Sequence, residues 1–276
     1  MILKKYSLLS FLFVCFYIFG FISQRIIISI KIEKEKINDL NIKLSNFIAN
    51  APDFEDFILY YLFHDIHRGF YIDVGANDPY YYSVTKGFYD RGWNGINVEP
   101  LPEKHRLLQK FRKRDINLKL GAGNFEGETS LLISGMKGFD DTSTVSFKGI
   151  KNTSKIMKIR IKTMANICKM YVPKGIQIQF CKIDVESSEK NVLLGYDFIN
   201  YRPKVFCIES LFNTTSKTGE YKEWEYILLL NDYEFGYKYQ RNRFYYDKRI
   251  NGLKKKFFLI DHYIKAFRKY SDFARY

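Results

Sequence analysis

Four short apolar runs in this chain each end at, or one residue from, an acid. They are Phe70–Val74 with Asp73, Trp93–Val98 before Glu99, 176–183 before Asp184, and 204–208 before Glu209. Helical patterns lie between them: VTKGFYDRG after Asp78-Pro79, PEKHRLLQKFRK, 163–171, 189–196 and 221–231. Strands read as continuous apolar runs when both faces are covered, and strand–helix alternation gives a parallel sheet with helices on both sides. Further strands are expected at 116–120, 129–133, 156–162, 233–239 and 243–246, and GAGNFEG at 121–127 reads as a turn. In such sheets ligands bind at the carboxyl ends of the strands, where the four acids stand.

The turn after the first strand narrows the ligand. Gly75-Ala76-Asn77-Asp78-Pro79 lacks the GxGxxG fingerprint of a dinucleotide site, and GxxxxGK[ST] occurs nowhere. What remains is Asp73-x-Gly75-x-Asn77, with Glu99 closing the second strand. Glycine lets the backbone come close to a ligand. An acid after the second strand accepts both ribose hydroxyls of an adenosine, and an acid in the first turn suits a cationic amino-acid group. The pattern therefore points to S-adenosylmethionine.

The segments YIDVGANDPYYYSVTKGFYDRGWNGINVEPLPE, INLKLGAGNFEGE, FCKIDVESSEKNVLLGYDF and YRPKVFCIES, in this order across residues 65–247, resemble the FkbM family of S-adenosylmethionine-dependent methyltransferases. The resemblance implies a Rossmann-like seven-stranded sheet and O-methylation of a sugar hydroxyl of a glycan or glycan precursor. It also implies cofactor contacts from Asp73, Gly75, Asn77 and Glu99. Asn124 stands where the family usually has an aspartate near the adenine. Ser187 and Ser188 replace the Gly-Ala that usually follows KIDVE.

A sugar hydroxyl is a poor nucleophile, so a base helps it. Asp184 and Glu186, at the end of a central strand, are the candidates. The plainer reading is that Asp184 caps the next helix and Glu186 faces solvent. No metal is expected, because no histidine accompanies the acids; Asp184 and Glu209 are the alternative cation pair. Tyr80, Tyr81, Tyr82, Phe244, Tyr245 and Tyr246 are aromatic enough to stack on a sugar or to fill a core. Cys181 and Cys207 read as core residues.

The ends of the chain suggest attachment. Residues 6–22 carry no charge between Lys4-Lys5 and Arg25, about the shortest length that spans a bilayer. No small-residue cleavage site follows, so 1–30 reads as an uncleaved membrane anchor rather than a signal peptide. Residues 31–51 read as a helical linker, 52–248 as the methyltransferase domain, and 249–276 as a basic C-terminal helix. The charge bias around the anchor places the domain on the cytoplasmic side, in a bacterial inner membrane. The net charge of +14 raises a nucleic-acid methyltransferase as a rival. The Asn/Asp-Pro-Pro-aromatic motif of amino-methylating DNA enzymes is absent, and no nucleic-acid partner is expected. The other rivals are a different small-molecule methyltransferase and an inactive membrane-tethered assembly module.

Overall fold

The computed structural model describes residues 47–133, 143–144, 155–210 and 220–273. The expected anchor, and the expected linker as far as residue 46, lie outside the described residues; residues 47–50 have no regular structure. Among the described residues no helix is long and apolar enough to cross a membrane. Residues 48–264 form one compact unit.

This unit is built on a seven-stranded sheet. Its strands are β1 (Phe70–Val74), β2 (Asn94–Val98), β3 (Ile116–Leu118), β8 (Ile178–Ile183), β9 (Val205–Glu209), β10 (Tyr233–Tyr239) and β11 (Asn242–Asp247). The order is β10-β11-β9-β8-β1-β2-β3. β1 pairs in parallel with both β2 and β8, and β8 with β9. The β10–β11 hairpin closes one edge antiparallel to β9. All residues of β1, β8 and β9 are buried, as their mostly apolar runs lead one to expect. The chain moves outward from β1 through β2 and β3, then returns to β1's other side at β8. That reversal opens a crevice at the strands' carboxyl ends.

The helices are α1 (Glu55–Phe63), α2 (Lys86–Asp90), α3 (Pro102–Phe111), α4 (Met164–Tyr171), α5 (Glu189–Leu194), α6 (Glu225–Leu230) and α7 (Leu253–Phe273). Proline opens α3, where its missing N–H is harmless. Thr163 caps α4 by accepting from the Asn166 amide at 3.3 Å. Every residue of α1 is buried, and Phe63 packs with Trp93 and Phe88 around Phe180. Phe206 pairs with Cys181, so it faces the other way; there it meets Tyr196, Phe198 and Tyr233. Side chains of this size contribute about 1.5–3 kcal/mol each when fully buried.

Two expectations are corrected. Asp78-Pro79 does not start a helix: Asp78 Oδ1 accepts from the amides of Tyr80 and Tyr81 at 2.9 and 3.0 Å, an Asx turn that competes with helix. Helix begins only at Lys86. The glycine-rich segment is not simply a turn either. Gly121–Gly123 forms β4 of a second sheet, ordered β4-β7-β5-β6, with β5 (Gly127–Ile133), β6 (Ser143–Thr144) and β7 (Lys155–Thr163). A side chain at Gly121 would come within 2.7 Å of Ile161, so glycine lets β4 lie against β7.

Candidate active site

A cavity of about 260 Å³ opens at the carboxyl ends of β1, β2, β8 and β9. Val74, Gly75, Asn77 and Val98 come to it from the first two strands and their turn. Ala122, Leu131 and Ile159 contribute apolar surface from the second sheet. Asp184, Glu186, Glu209 and Lys182 contribute charge.

Gly75 sets how close the strands come. Its φ is +80°, and a Cβ there would fall 1.8 Å from the Asp184 carbonyl oxygen. Only glycine fits that backbone and that gap. The amides of Gly75 and Ala76 both donate to the Val98 carbonyl, and the Asp184 amide donates to Val74. These bonds tie the ends of β1, β2 and β8 together.

The residue that organises the charges is Lys182, which sequence reasoning passed over. It is buried in β8, two residues before Asp184 and therefore on the same face. It pairs in register with Asp73 on β1. Its Nζ donates to the Gly75 carbonyl at 2.9 Å, and lies 3.2 Å from Asp184 and 3.5 Å from Asp73. Burial works against its charge, but Asp184 and then Asp73 outweigh it and hold Lys182 above the ordinary lysine range. A charged residue inside FCKI, in phase with the following acid, was the available signal.

Asp184, Glu186 and Glu209 bring carboxylate oxygens within 4.8 Å of one another. That grouping includes the alternative cation pair, but Lys182 already supplies the positive charge beside Asp184, and Arg241 lies 3.4 Å from Glu209. The donor set fits an ammonium neighbour better than a divalent ion. Burial disfavours the Asp184 charge, but Lys182 and then the neighbouring Glu209 carboxyl pull it below the usual carboxylate range. Asp184 does not cap α5; the cap position is Ser188, and a third of the Asp184 side chain stays open. Glu186 also lines the cavity.

Glu99 is buried behind the lining. Its two oxygens accept from the Asn77 and Leu101 amides, each at 2.8 Å. Burial raises it above its ordinary value, against those two bonds. Each oxygen keeps a second lone pair, so Glu99 both shapes the turn and retains acceptor capacity. Asn77 reaches the cavity in a left-handed conformation, φ +49°, and its Oδ1 is buried without a hydrogen-bond partner. Asp73 turns away from the cavity to Thr85 Oγ1 at 2.9 Å and to Lys182. Asn124 is exposed in the turn after β4, outside the lining.

The six aromatics divide. Phe244, Tyr245 and Tyr246 are buried in β11, so they fill core and have no face for a sugar. Tyr80, Tyr81 and Tyr82 are exposed, and Tyr82 lines the cavity. Their loop is fastened from below by Arg112, itself 1% exposed. It donates to Pro79 O at 3.1 Å, Ser83 Oγ at 2.7 Å and Thr85 O at 3.2 Å.

Glu55, at the start of α1, joins the lining, with its Oε2 buried and unpartnered. Burial, with Asp56 and Asp53 nearby, lifts it to about 7.

Residues 73–239 match the family model described as the methyltransferase FkbM domain. No curated protein matches the chain.

Proposed function

Because the chain belongs to the FkbM methyltransferase family, we propose that it uses S-adenosylmethionine to methylate a hydroxyl of a sugar, in a glycan or a glycan precursor. The observation that carries this reading is the cavity at the strand ends, which joins an acidic side to an apolar one. The residues fit that cofactor. Asp184 and Glu186 offer negative charge to a cationic group, and Ala122, Leu131 and Ile159 offer apolar surface to an adenine. The orphaned Asn77 Oδ1 offers an acceptor, and Glu99 holds the turn that a ribose would meet.

When bound, S-adenosylmethionine supplies an activated methyl group. The chain's task is alignment, exclusion of water, and removal of one proton. A hydroxyl oxygen that gains a carbon becomes a strong acid, so a carboxylate need not be strongly basic to take its proton. It needs to be ionised and within reach. Asp184, kept ionised by Lys182, meets the first condition, and its open side chain in the cavity supports the second. Glu186 is the second candidate. The exposed Tyr80–Tyr82 loop supports a sugar reading, since an exposed aromatic face suits the apolar face of a sugar ring.

We place the enzyme at the inner face of a bacterial inner membrane, on the uncharged run 6–22 and the bias of its flanking charges. The acceptor there would be a lipid- or nucleotide-linked sugar.

Calorimetry with S-adenosylmethionine tests the cofactor. Glu99→Ala loses acceptors for charge-assisted hydrogen bonds worth about 1.5–3 kcal/mol, so affinity should fall about ten- to hundredfold. Wild-type affinity in the variant refutes the ribose assignment. Incubating the wild type with methyl-labelled cofactor and cell-extract fractions tests the acceptor: label in protein or nucleic acid alone, and none in glycan or sugar lipid, refutes the sugar.

A further inference from the structure

Two carboxylates held together inside a fold resist ionising together. Asp184 and Glu209 are such a pair. Ile183 and Ile208 are register partners on parallel strands, so the next residues, Asp184 and Glu209, leave β8 and β9 side by side. Their surroundings are unequal. Asp184 has the buried ammonium of Lys182 at 3.2 Å. Glu209 is 6% exposed, and its only cation among the described residues is Arg241 at 3.4 Å, a half-exposed guanidinium that also bonds Asp53 at 2.9 Å. The Oε2 of Glu209 is buried with no donor in reach. An ionised oxygen in that position is costly, whereas a protonated one becomes a donor itself.

We propose that Glu209 is a carboxylic acid at neutral pH, that it donates its proton to Asp184, and that Lys182 fixes this order, so that Asp184 is the ionised, proton-accepting member. The last clause rests on the methyltransferase reading above; the placement of the proton does not. The charges around the pair agree. Burial, then Asp184, then Glu186 in the following turn lift Glu209 to about 9, against the pull of Arg241. Asp73 on β1 and Glu55 on α1 both reinforce the charge of Lys182. In turnover the acceptor O–H bond breaks, its electron pair stays on oxygen, and the proton forms a new O–H bond on Asp184. The pair passes from one negative charge to none, and Glu209 keeps its own proton throughout. Lys182 and Glu209 are therefore positioning residues.

Infrared spectroscopy on the full chain reads the proton directly, because a carboxylic acid and a carboxylate absorb at different frequencies. At pH 8 Glu55 and Asp56, both lifted to about 7, are mostly ionised. A carboxylic-acid band at pH 8 should be present in the wild type, vanish with an apparent midpoint near 9, and be missing from Glu209→Gln. Lys182→Met should move that midpoint upward, and Lys182→Arg should restore it. No band at pH 8 in the wild type, or the same band in Glu209→Gln, overturns the proposal. An unmoved midpoint in Lys182→Met removes Lys182 from it. Should Lys182→Met fail to fold, judged by circular dichroism, the Glu209→Gln comparison still decides the proton. With labelled S-adenosylmethionine, the alkaline limb of turnover should disappear in Glu209→Gln. If the band behaves as stated but no label transfers, the proton pair stands and the methyltransferase reading of this site falls.

Discussion

Ser187→Gly should make the protein more stable. Ser187 is exposed, so the substitution changes no packing, yet its φ is +77°. A left-handed backbone costs a residue with a Cβ about 1–2 kcal/mol, and glycine escapes that cost. Glycine also adds freedom to the unfolded chain, which takes back about 0.4–1 kcal/mol. The net gain is about 0.5–1 kcal/mol. For a unit the size of residues 48–264, that moves Tm by roughly 1–4 °C. Urea unfolding is the cleaner assay: the midpoint should rise with the slope unchanged. Ser187→Ala, which keeps the Cβ and loses only the hydroxyl, should stay within a few tenths of a kcal/mol of the wild type. If Ser187→Gly is no more stable than Ser187→Ala, the turn after Glu186 is not strained and the argument fails. The prediction has a counterpart in the sequence, since the resembling family usually carries glycine at this position.

Two further outcomes follow from buried charge. Glu55 and Asp56 are both lifted to about 7 and Glu209 to about 9, chiefly by burial. Each keeps its proton in the folded state to a higher pH than in the unfolded chain, so stability should fall as pH rises from about 5 to 9. Glu55→Gln should flatten the part of that fall below pH 7, and denaturant midpoints that rise across this range would contradict the burial of these groups. Arg112→Met removes the guanidinium from the Tyr80–Tyr82 loop and from Asp115, 3.8 Å away. Breaking such a buried pair costs about 3–5 kcal/mol, and Arg112→Lys should recover little because an ammonium cannot reproduce the fork. A loss below about 1 kcal/mol would show that the loop is held by something else.

The central sheet was legible because buried parallel strands write themselves as apolar runs, and each run here has an acid at its end. That same feature located Asp184, Glu209 and Glu99 at the crevice. The second sheet was not legible as such. Gly121 and Gly123 carry no strand signal of their own; they form a strand because Ile161 needs the space. Nor was the loop at Asp78-Pro79, where an Asx turn competes with a helix start written in the same residues. Lys182 escaped for a different reason. Its position looks like a flaw in an apolar strand until the register of β1 against β8 sets Asp73 beside it, and register is a property of the pair of strands rather than of either one. Asp73 suited a cationic group by its place in the turn, and a cation does meet it, but that cation belongs to the chain.

The strained backbone of this protein gathers around the cavity. Seven non-glycine residues have positive φ among the described residues. Asn77, Tyr82 and Glu186 line the cavity, while Phe54, Ser187 and Gln240 each adjoin a residue that does; Asp232 lies elsewhere. Left-handed geometry persists only where the surroundings over-determine it. Here the surroundings can be named. The Glu99 carboxylate grips the Asn77 amide, Arg112 bonds Pro79 before Tyr82 and Ser83 after it, and the turn at Glu186 leaves the strand that Lys182 fastens to Gly75. Parallel strands would otherwise run straight out of the sheet into helices. Turning them sharply at their carboxyl ends opens the space between them and leaves the acids at its edge. Buried carboxylates and bent turns both lower stability, and both occur where the chain makes room for a ligand.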